Sequence, residues 1–318
     1  DGGSFTHSGA IYLSDHWKVN DKVLLNGGIR YNYSSIKASF DDKSFFPFEL
    51  DKVLQQNQAV VGNVGFIYFP TEKARFKSLL SSGFRTPNVD DLAKVFDSGQ
   101  GTLIVPNPNI NPEKSYNIEL GWNQKISTFL EMEATYFHTF LRNALVIADF
   151  QLNGLSTSFY EGEESRVVAM QNKGRAEVKG FQMNGKVTFN KDLVLVSSLS
   201  RTEGRLDDGT PLDHIPPLFG KTALSFTSKK FKAVLSAMYN GLKPLSEYGL
   251  NGEDNLGFAT IDGTPSWWTL NLRASYSLSD KWEFQIGLEN ILDTNYRGFA
   301  SGISSAGRNF SVTIRKEF

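Results

Sequence analysis

The sequence predicts an all-β protein built as a transmembrane antiparallel up-and-down β-barrel, and three observations carry that prediction. Apolar and polar residues alternate through about thirteen separate runs. The connections between those runs alternate short and long without a break. Several runs reach or exceed the roughly 9 to 11 residues of a tilted membrane strand. Alternation alone also fits a soluble sandwich, because successive strand residues point to opposite faces in both. The rhythm of connections separates the two. Greek-key crossings have no reason to alternate, whereas an outer-membrane barrel has short periplasmic turns and longer external loops.

Composition is consistent with this. The chain has 318 residues, with 33 Lys plus Arg against 34 Asp plus Glu, so no basic field for nucleic acid is implied. Phe is the dominant aromatic at 25 residues, and 28 Gly suit a strand-rich chain with many turns. Cysteine is absent, which excludes disulfide frameworks, thiolate zinc sites and cysteine nucleophiles. No apolar run approaches the roughly 20 residues of a spanning helix, but alternating membrane strands escape that search. No signal peptide is present, and Asp1-Gly2-Gly3-Ser4 reads as the middle of a loop, as in a longer precursor.

In order, the spacing predicts strands near 7–17 and 23–39 around a short polar turn, then a loop over 40–57. Strands at 59–69 and 75–85 are joined by Pro70-Thr71-Glu72-Lys73, and 86–112 is the longest connection. Strands at 113–125 and 129–145 meet at Ile126-Ser127-Thr128. After a long connection, strands at 167–189 and 193–202 turn at Asn190-Lys191-Asp192, with a parity slip near Gly180 that reads as a bulge. Pairs at 218–226 with 231–242, and 266–278 with 281–291, follow, separated by the loop 243–263. The last strand is 308–318, with Phe310, Val312, Ile314 and Phe318 on one parity. The apolar parity is expected to face lipid. The other parity, with Arg30, Glu119, Lys186, Arg273 and Glu289, is expected to face a wet lumen. Trp17, Trp122, Trp267, Trp268 and Trp282 suit interfacial girdles.

Four segments carry a resemblance to a known family. Gly83-Phe84-Arg85-Thr86-Pro87 with Asp91-Leu92 resembles a "GFR-x-P…DL" segment. Asn107-Pro108-Asn109-Ile110-Asn111-Pro112-Glu113-Lys114-Ser115, followed by Glu119-Leu120-Gly121, resembles "NPxLxPExS…ELG". Asn172-Lys173-Gly174-Arg175-Ala176 through Gly180-Phe181-Gln182 resembles a third, with Gln182 where Glu is usual. Glu289-Asn290-Ile291-Leu292-Asp293 with Tyr296, Gly307-Arg308 and Phe318 resembles the closing signature. Together they resemble the C-terminal part of the β-barrel of a TonB-dependent outer-membrane receptor, over residues 1–318.

The resemblance implies a barrel of about 22 strands filled by an N-terminal plug, of which this chain would supply roughly strands 10 to 22. It implies a Gram-negative outer membrane and active uptake of a scarce solute, such as a siderophore, cobalamin, glycan, peptide or metal complex. The implied partners are TonB–ExbB–ExbD through a plug and TonB box outside this chain, and the outer-membrane assembly machinery. Lipid and lipopolysaccharide, an accessory lipoprotein, and another polypeptide carrying the plug and remaining strands complete the set. The terminal strand (Phe310, Val312, Ile314, Phe318) resembles the assembly signal. The alternatives are a passive porin, which lacks a plug, and a barrel enzyme.

Candidate sites are weighed against plainer readings. The two proline-bearing boxes resemble those of haem receptors, but no histidine lies between 88 and 106, so haem is not supported and no cofactor is expected. His7, His16, His138 and His214 lack metal spacing. Asn251-Gly252-Glu253-Asp254-Asn255 reads as a solvated loop and Asp207-Asp208-Gly209 as a turn. No nucleophile–base–acid set is found, so the protein is not expected to be an enzyme. Substrate contacts are expected from aromatics of the long loops: Phe96, Phe150, Phe159, Tyr160, Tyr248 and Phe258.

Overall fold

A computed structural model describes residues 2–40, 51–93, 95–97, 101–160, 162–249 and 254–317. Thirteen strands form one antiparallel sheet. They are β1 (Gly2–Asn20), β2 (Val23–Phe40), β3 (Lys52–Thr71), β4 (Ala74–Arg85), β7 (Glu113–Lys125), β8 (Leu130–Arg142) and β12 (Arg175–Thr188). Next come β13 (Leu193–Leu206), β14 (Phe219–Thr227), β15 (Phe231–Asn240), β16 (Trp267–Ser279), β17 (Trp282–Glu289) and β18 (Asn309–Lys316). Each pairs with the next in chain order, the up-and-down meander that the alternating connections predict. A second, five-stranded sheet lies in the long connections: β5 (Phe96–Asp97), β6 (Thr102–Val105), β9 (Leu145–Asp149), β10 (Thr157–Tyr160) and β11 (Glu163–Asn172). One short helix, α1 (Val89–Ala93), precedes β5.

The ladder registers place side chains on two faces. One runs continuously through Ile29, Val60 and Val64, then Leu80, Ile118, Tyr136, Phe181, Leu199 and onward to Leu272, Ile286 and Val312. The opposite face carries Arg30, Glu119, Lys186, Arg273 and Glu289, as the alternation predicts. Along β7 the first face is the more exposed at nearly every rung. On the polar face Lys77 lies over Gly121 and reaches Glu133, two strands away, at 3.5 Å. Among the described residues, β1 and β18 each have one ladder neighbour, and their large apolar side chains are exposed.

The sequence reading differs from the structure in several places. Residues 2–6 belong to β1 rather than to a loop, and β3 begins at Lys52, inside the expected 40–57 connection. Residues 167–189 are not one strand. The chain breaks at Gly174, which has φ +56°, and passes from the small sheet into the wall. Gly180 is no bulge, because both ladders of β12 run through it without a register shift. A Cβ there would collide with the Arg201 carbonyl and the Phe137 ring, so the position requires glycine for close approach. The apparent slip arises because one face of β12 changes from Arg175, Glu177 and Lys179 to Phe181 and Met183. A single outward face therefore leaves water and enters lipid. Trp267 stands on the polar face, ring centroid 4.2 Å from that of Tyr296, and not in a girdle.

The sheet forks. The β3–β4 ladder stops at the Asn63–Ser81 pair, while β3 continues with β2 to Lys52 and β4 continues with β7 to Arg85. At the fork the Gly62 N–H donates to Ser82 Oγ at 3.0 Å.

Candidate functional site at the long-loop rim

Three of the four motif segments meet in one layer above the wall. Arg85 Nη2 donates to both oxygens of the Asp91 carboxylate at 2.7 Å, and Asp91 is 8% exposed. Asn88 and Asp91 exchange backbone-to-side-chain hydrogen bonds of 2.9 and 2.8 Å, which starts α1 as a reciprocal cap. The turn buries Pro87 and Leu92. Leu92 and Ile110 then pack on Ile36, Ala38 and Val53, which lie on the polar-face parity of β2 and β3. Leu92 and Ile110, from the two ends of the 86–112 connection, therefore lie on the polar face of the wall.

The second segment is tied down by amides. Asn107 Nδ2 donates to the Met170 carbonyl at 2.8 Å, and Gln55 Nε2 to the Ile110 carbonyl at 2.5 Å. In the third segment, Asn172 Oδ1 accepts from the Asn111 N–H at 2.6 Å, and its Nδ2 donates to the Asn111 and Asn143 carbonyls. Glu113 accepts from the Leu145 N–H at 2.9 Å. The small sheet has a dry core of Leu103, Val105, Val167 and Ala169, none more than 2% exposed. Ile104, Ile147 and Val168 fill its other face. Continuous apolar runs, Leu103-Ile104-Val105 and Val167-Val168-Ala169, are the signal for these two-sided strands.

The fourth segment closes the last loop. Asn290, at φ 48°, donates to the Thr294 and Ala306 carbonyls and accepts from the Thr294 N–H. Asp293 accepts the Arg308 N–H at 2.8 Å, and Arg308 Nε donates to the Ile291 carbonyl. A Cβ at Gly307 would stand 2.8 Å from Asp293 Oδ1, so a larger residue there would displace the carboxylate that holds Arg308. Nearby, the buried Asp254 accepts from the His214 and Gly249 N–H groups at 2.8 and 2.7 Å. Lys243, 4% exposed, donates to the Ile215 carbonyl at 2.7 Å. Burial pulls its ammonium below the usual lysine range, and Asp254 and Glu247 oppose that shift.

The motif residues thus dock loops to one another and to the wall. The loop aromatics divide. Phe150 and Tyr160 pack against the core of the small sheet, and Tyr248 is 5% exposed, its hydroxyl 2.5 Å from Thr264 Oγ1. Phe159 and Phe258 are open, at 73% and 54% exposed. The Arg297 guanidinium lies 4.7 Å over the Phe258 ring, beside a cavity of about 230 Å³ that Trp267 and Tyr296 also line. Phe96 lies in β5, and its side chain is outside the described residues, as are residues 251–253 and Phe318. Phe310, Val312 and Ile314 share the outward face of β18 and are exposed. Among the described residues no cluster of His, Asp or Glu is arranged to hold a metal.

A long antiparallel meander with an apolar outer face and loops gathered at one rim is the architecture of an outer-membrane β-barrel wall. The chain belongs to the TonB-dependent receptor-like β-barrel family, whose model matches residues 1–291. That places it in the outer membrane of a Gram-negative bacterium. It is 23% identical over 334 aligned residues to transferrin-binding protein A of Neisseria meningitidis serogroup B, covering 95% of this chain and 34% of that one. It is 30% identical over 179 residues to the probable hemoglobin and hemoglobin-haptoglobin-binding protein 4 of Haemophilus influenzae, covering 53% and 18%. Its fold matches the copper transporter OprC with a TM-score of 0.80 at 16% identity, covering 99% of this chain and 48% of that one. The chain thus spans about a third of the first relative's length and about half of that structure.

Proposed function

We propose that residues 1–318 are the C-terminal portion of a barrel of about 22 strands that encloses a plug. The receptor takes up a scarce, metal-bearing solute, with energy delivered through TonB–ExbB–ExbD. One observation carries the reading: thirteen strands pair in strict chain order with one apolar outer face, while the family's motif residues tie the loops to one another and to the wall. The single-sided edges of β1 and β18 support a wall completed by further strands, since an open edge in hydrocarbon is strongly unfavourable. The names of the relatives, which concern transferrin and hemoglobin, support a metal-bearing cargo. Phe159 and Phe258 are the loop aromatics open to contact it. The outward face of β18 serves the assembly machinery as its signal.

The test is accumulation of candidate metal complexes by cells carrying the receptor, with and without TonB. Uptake that depends on TonB supports the reading. Steady ion conductance by the purified receptor in planar bilayers would replace it with a passive pore. Intact mass of the folded receptor should show a plug and about nine further strands, in the same polypeptide or a second one.

A further inference from the structure

The fork leaves one strand edge open. Below it, β3 and β4 share a ladder that ends at the Asn63–Ser81 pair. Above it, β3 runs on from Gly62 to Lys52 paired with β2, while β4 follows β7 as far as the Arg85–Glu113 pair. Residues of an antiparallel strand direct their N–H and C=O groups to alternate sides. Ser82 Oγ accepts the Gly62 N–H at 3.0 Å and donates to the Gly62 carbonyl at 3.3 Å, so the backbone groups of Gly62 point towards β4. By that alternation, those of Val60, Gln58, Gln56 and Leu54 point the same way. The β2 ladder uses the intervening residues, and among the described residues no partner meets these four.

Edges of this kind are usually blunted by charge, proline or a bulge. Here residues 53–62 carry no charge and no proline, and the β2 ladder runs beside them without a register shift. The inner face of the extension is covered: Val53 packs with Leu92 and Ile110, and the Gln55 amide donates to the Ile110 carbonyl. The outward face is open, with Leu54 68% and Val60 64% exposed. Nine residues of β3 separate Gly62 from Thr71 at the short-turn rim. That is about 31 Å of strand and, at a tilt near 40°, about 23 Å along the membrane normal. The free edge therefore starts where the apolar band ends and rises into water outside the cell. At its foot the fork opens on an apolar recess of about 570 Å³, lined by Val60, Leu80 and Ile118 among others.

We infer that this edge docks an extended segment of a separate polypeptide, which adds to β3 as one more strand in the fork. Backbone bonds to Leu54, Gln56, Gln58 and Val60 hold the segment. It is uncharged, to match a neutral edge, and its outward side chains are apolar, to lie beside Leu54 and Val60 and to enter the recess. A second copy of the receptor does not fit. Strands of two upright barrels, each tilted about 40°, cross at about 80° where the barrels face each other, which is too steep for a ladder. The inference rests on strand register and outer-membrane placement, and not on the cargo or its energy source.

The test uses the full receptor, folded and purified in detergent, with hydrogen exchange read residue by residue. In the free receptor the amides of Leu54, Gln56, Gln58 and Val60 should exchange at least a hundredfold faster than those of Gln55, Asn57 and Ala59. Equal protection of the two sets overturns the proposal, because another part of the receptor then already pairs with the edge. The probe is a capped nonapeptide of alternating valine and threonine that begins and ends on valine. At saturation it should slow the four amides at least tenfold. The same peptide N-methylated at its three central residues keeps its side chains, loses its central donors and should leave the four amides unchanged. No protection by the unmethylated peptide, or equal protection by both, overturns the proposal. Q58P removes one edge donor without touching the β2 ladder, a placement that edge strands tolerate, and should weaken the peptide at least tenfold. Undiminished binding by folded Q58P overturns it as well. Should Q58P fail to fold, the two peptides on the wild type decide.

Discussion

The wall and the loop layer above it are held together by opposite means. In the wall, the outward side chains Leu80, Ile118, Leu120 and Val312 are 39% to 58% exposed, so they have little protein to pack against. Its cohesion comes from backbone ladders, and its apolar face is completed by lipid. In the loop layer, Leu103 and Ala169 are fully buried, and a water-facing structure carries its own core. The family motifs fall mainly in the second region. Polar networks such as Arg85–Asp91 and the Asn172 bonds give each loop one docking position, which a ladder cannot do.

This contrast can be broken from either side. The largest effect is expected from Leu103→Ala. Removing a fully buried leucine should cost about 4 kcal/mol. The loss should be confined to the loop layer, seen as fast amide exchange across 101–112 and 163–172 with the β14–β18 ladders unchanged. Leu120→Arg attacks the wall instead. A guanidinium on the lipid face should cost about 3 kcal/mol, lowering the yield of heat-modifiable folded barrel while loop protection persists in the molecules that assemble. Arg85→Ala leaves the Asp91 carboxylate buried without its cation, which should cost about 2 kcal/mol locally, discounted because Arg85 is half exposed. Exchange should quicken in 86–93 first. Glu203→Gln removes an exposed pair with Arg201, at side-chain exposures of 41% and 55%. It should change stability by less than about 0.5 kcal/mol. A larger shift would mean that outward surface charges matter more to the wall than ladders and lipid allow.

The two regions were also unequally legible. Thirteen wall strands could be read because each has one wet face and one apolar face, and period two survives wherever that asymmetry holds. β6 was missed, and β11 was run together with β12, because β6 and the middle of β11 are dry on both faces. Leu103-Ile104-Val105 shows no alternation, and β5 and β10 are too short to reveal any. Gly180 misled for a related reason. Alternation tracks solvent, and β12 changes its surroundings from water to lipid along one face without changing register. Location alone marks the loop aromatics in the sequence. Loop residues read as exposed, yet Tyr248 is almost wholly covered by Thr264 and Phe299.

The sequence by itself determined what local pattern can encode: the number and order of wall strands, which parity meets lipid, where the short turns lie, and the family. Those properties need only the two-residue repeat of a strand and the punctuation of turns. Tertiary structure alone decided how the loops pack back onto the wall, why Arg85 needs Asp91 and Asn107 needs Met170, and where the sheet forks. These residues are separated by up to 63 positions. They meet only because strand registers add up across the sheet, and register is set by the paired strands together.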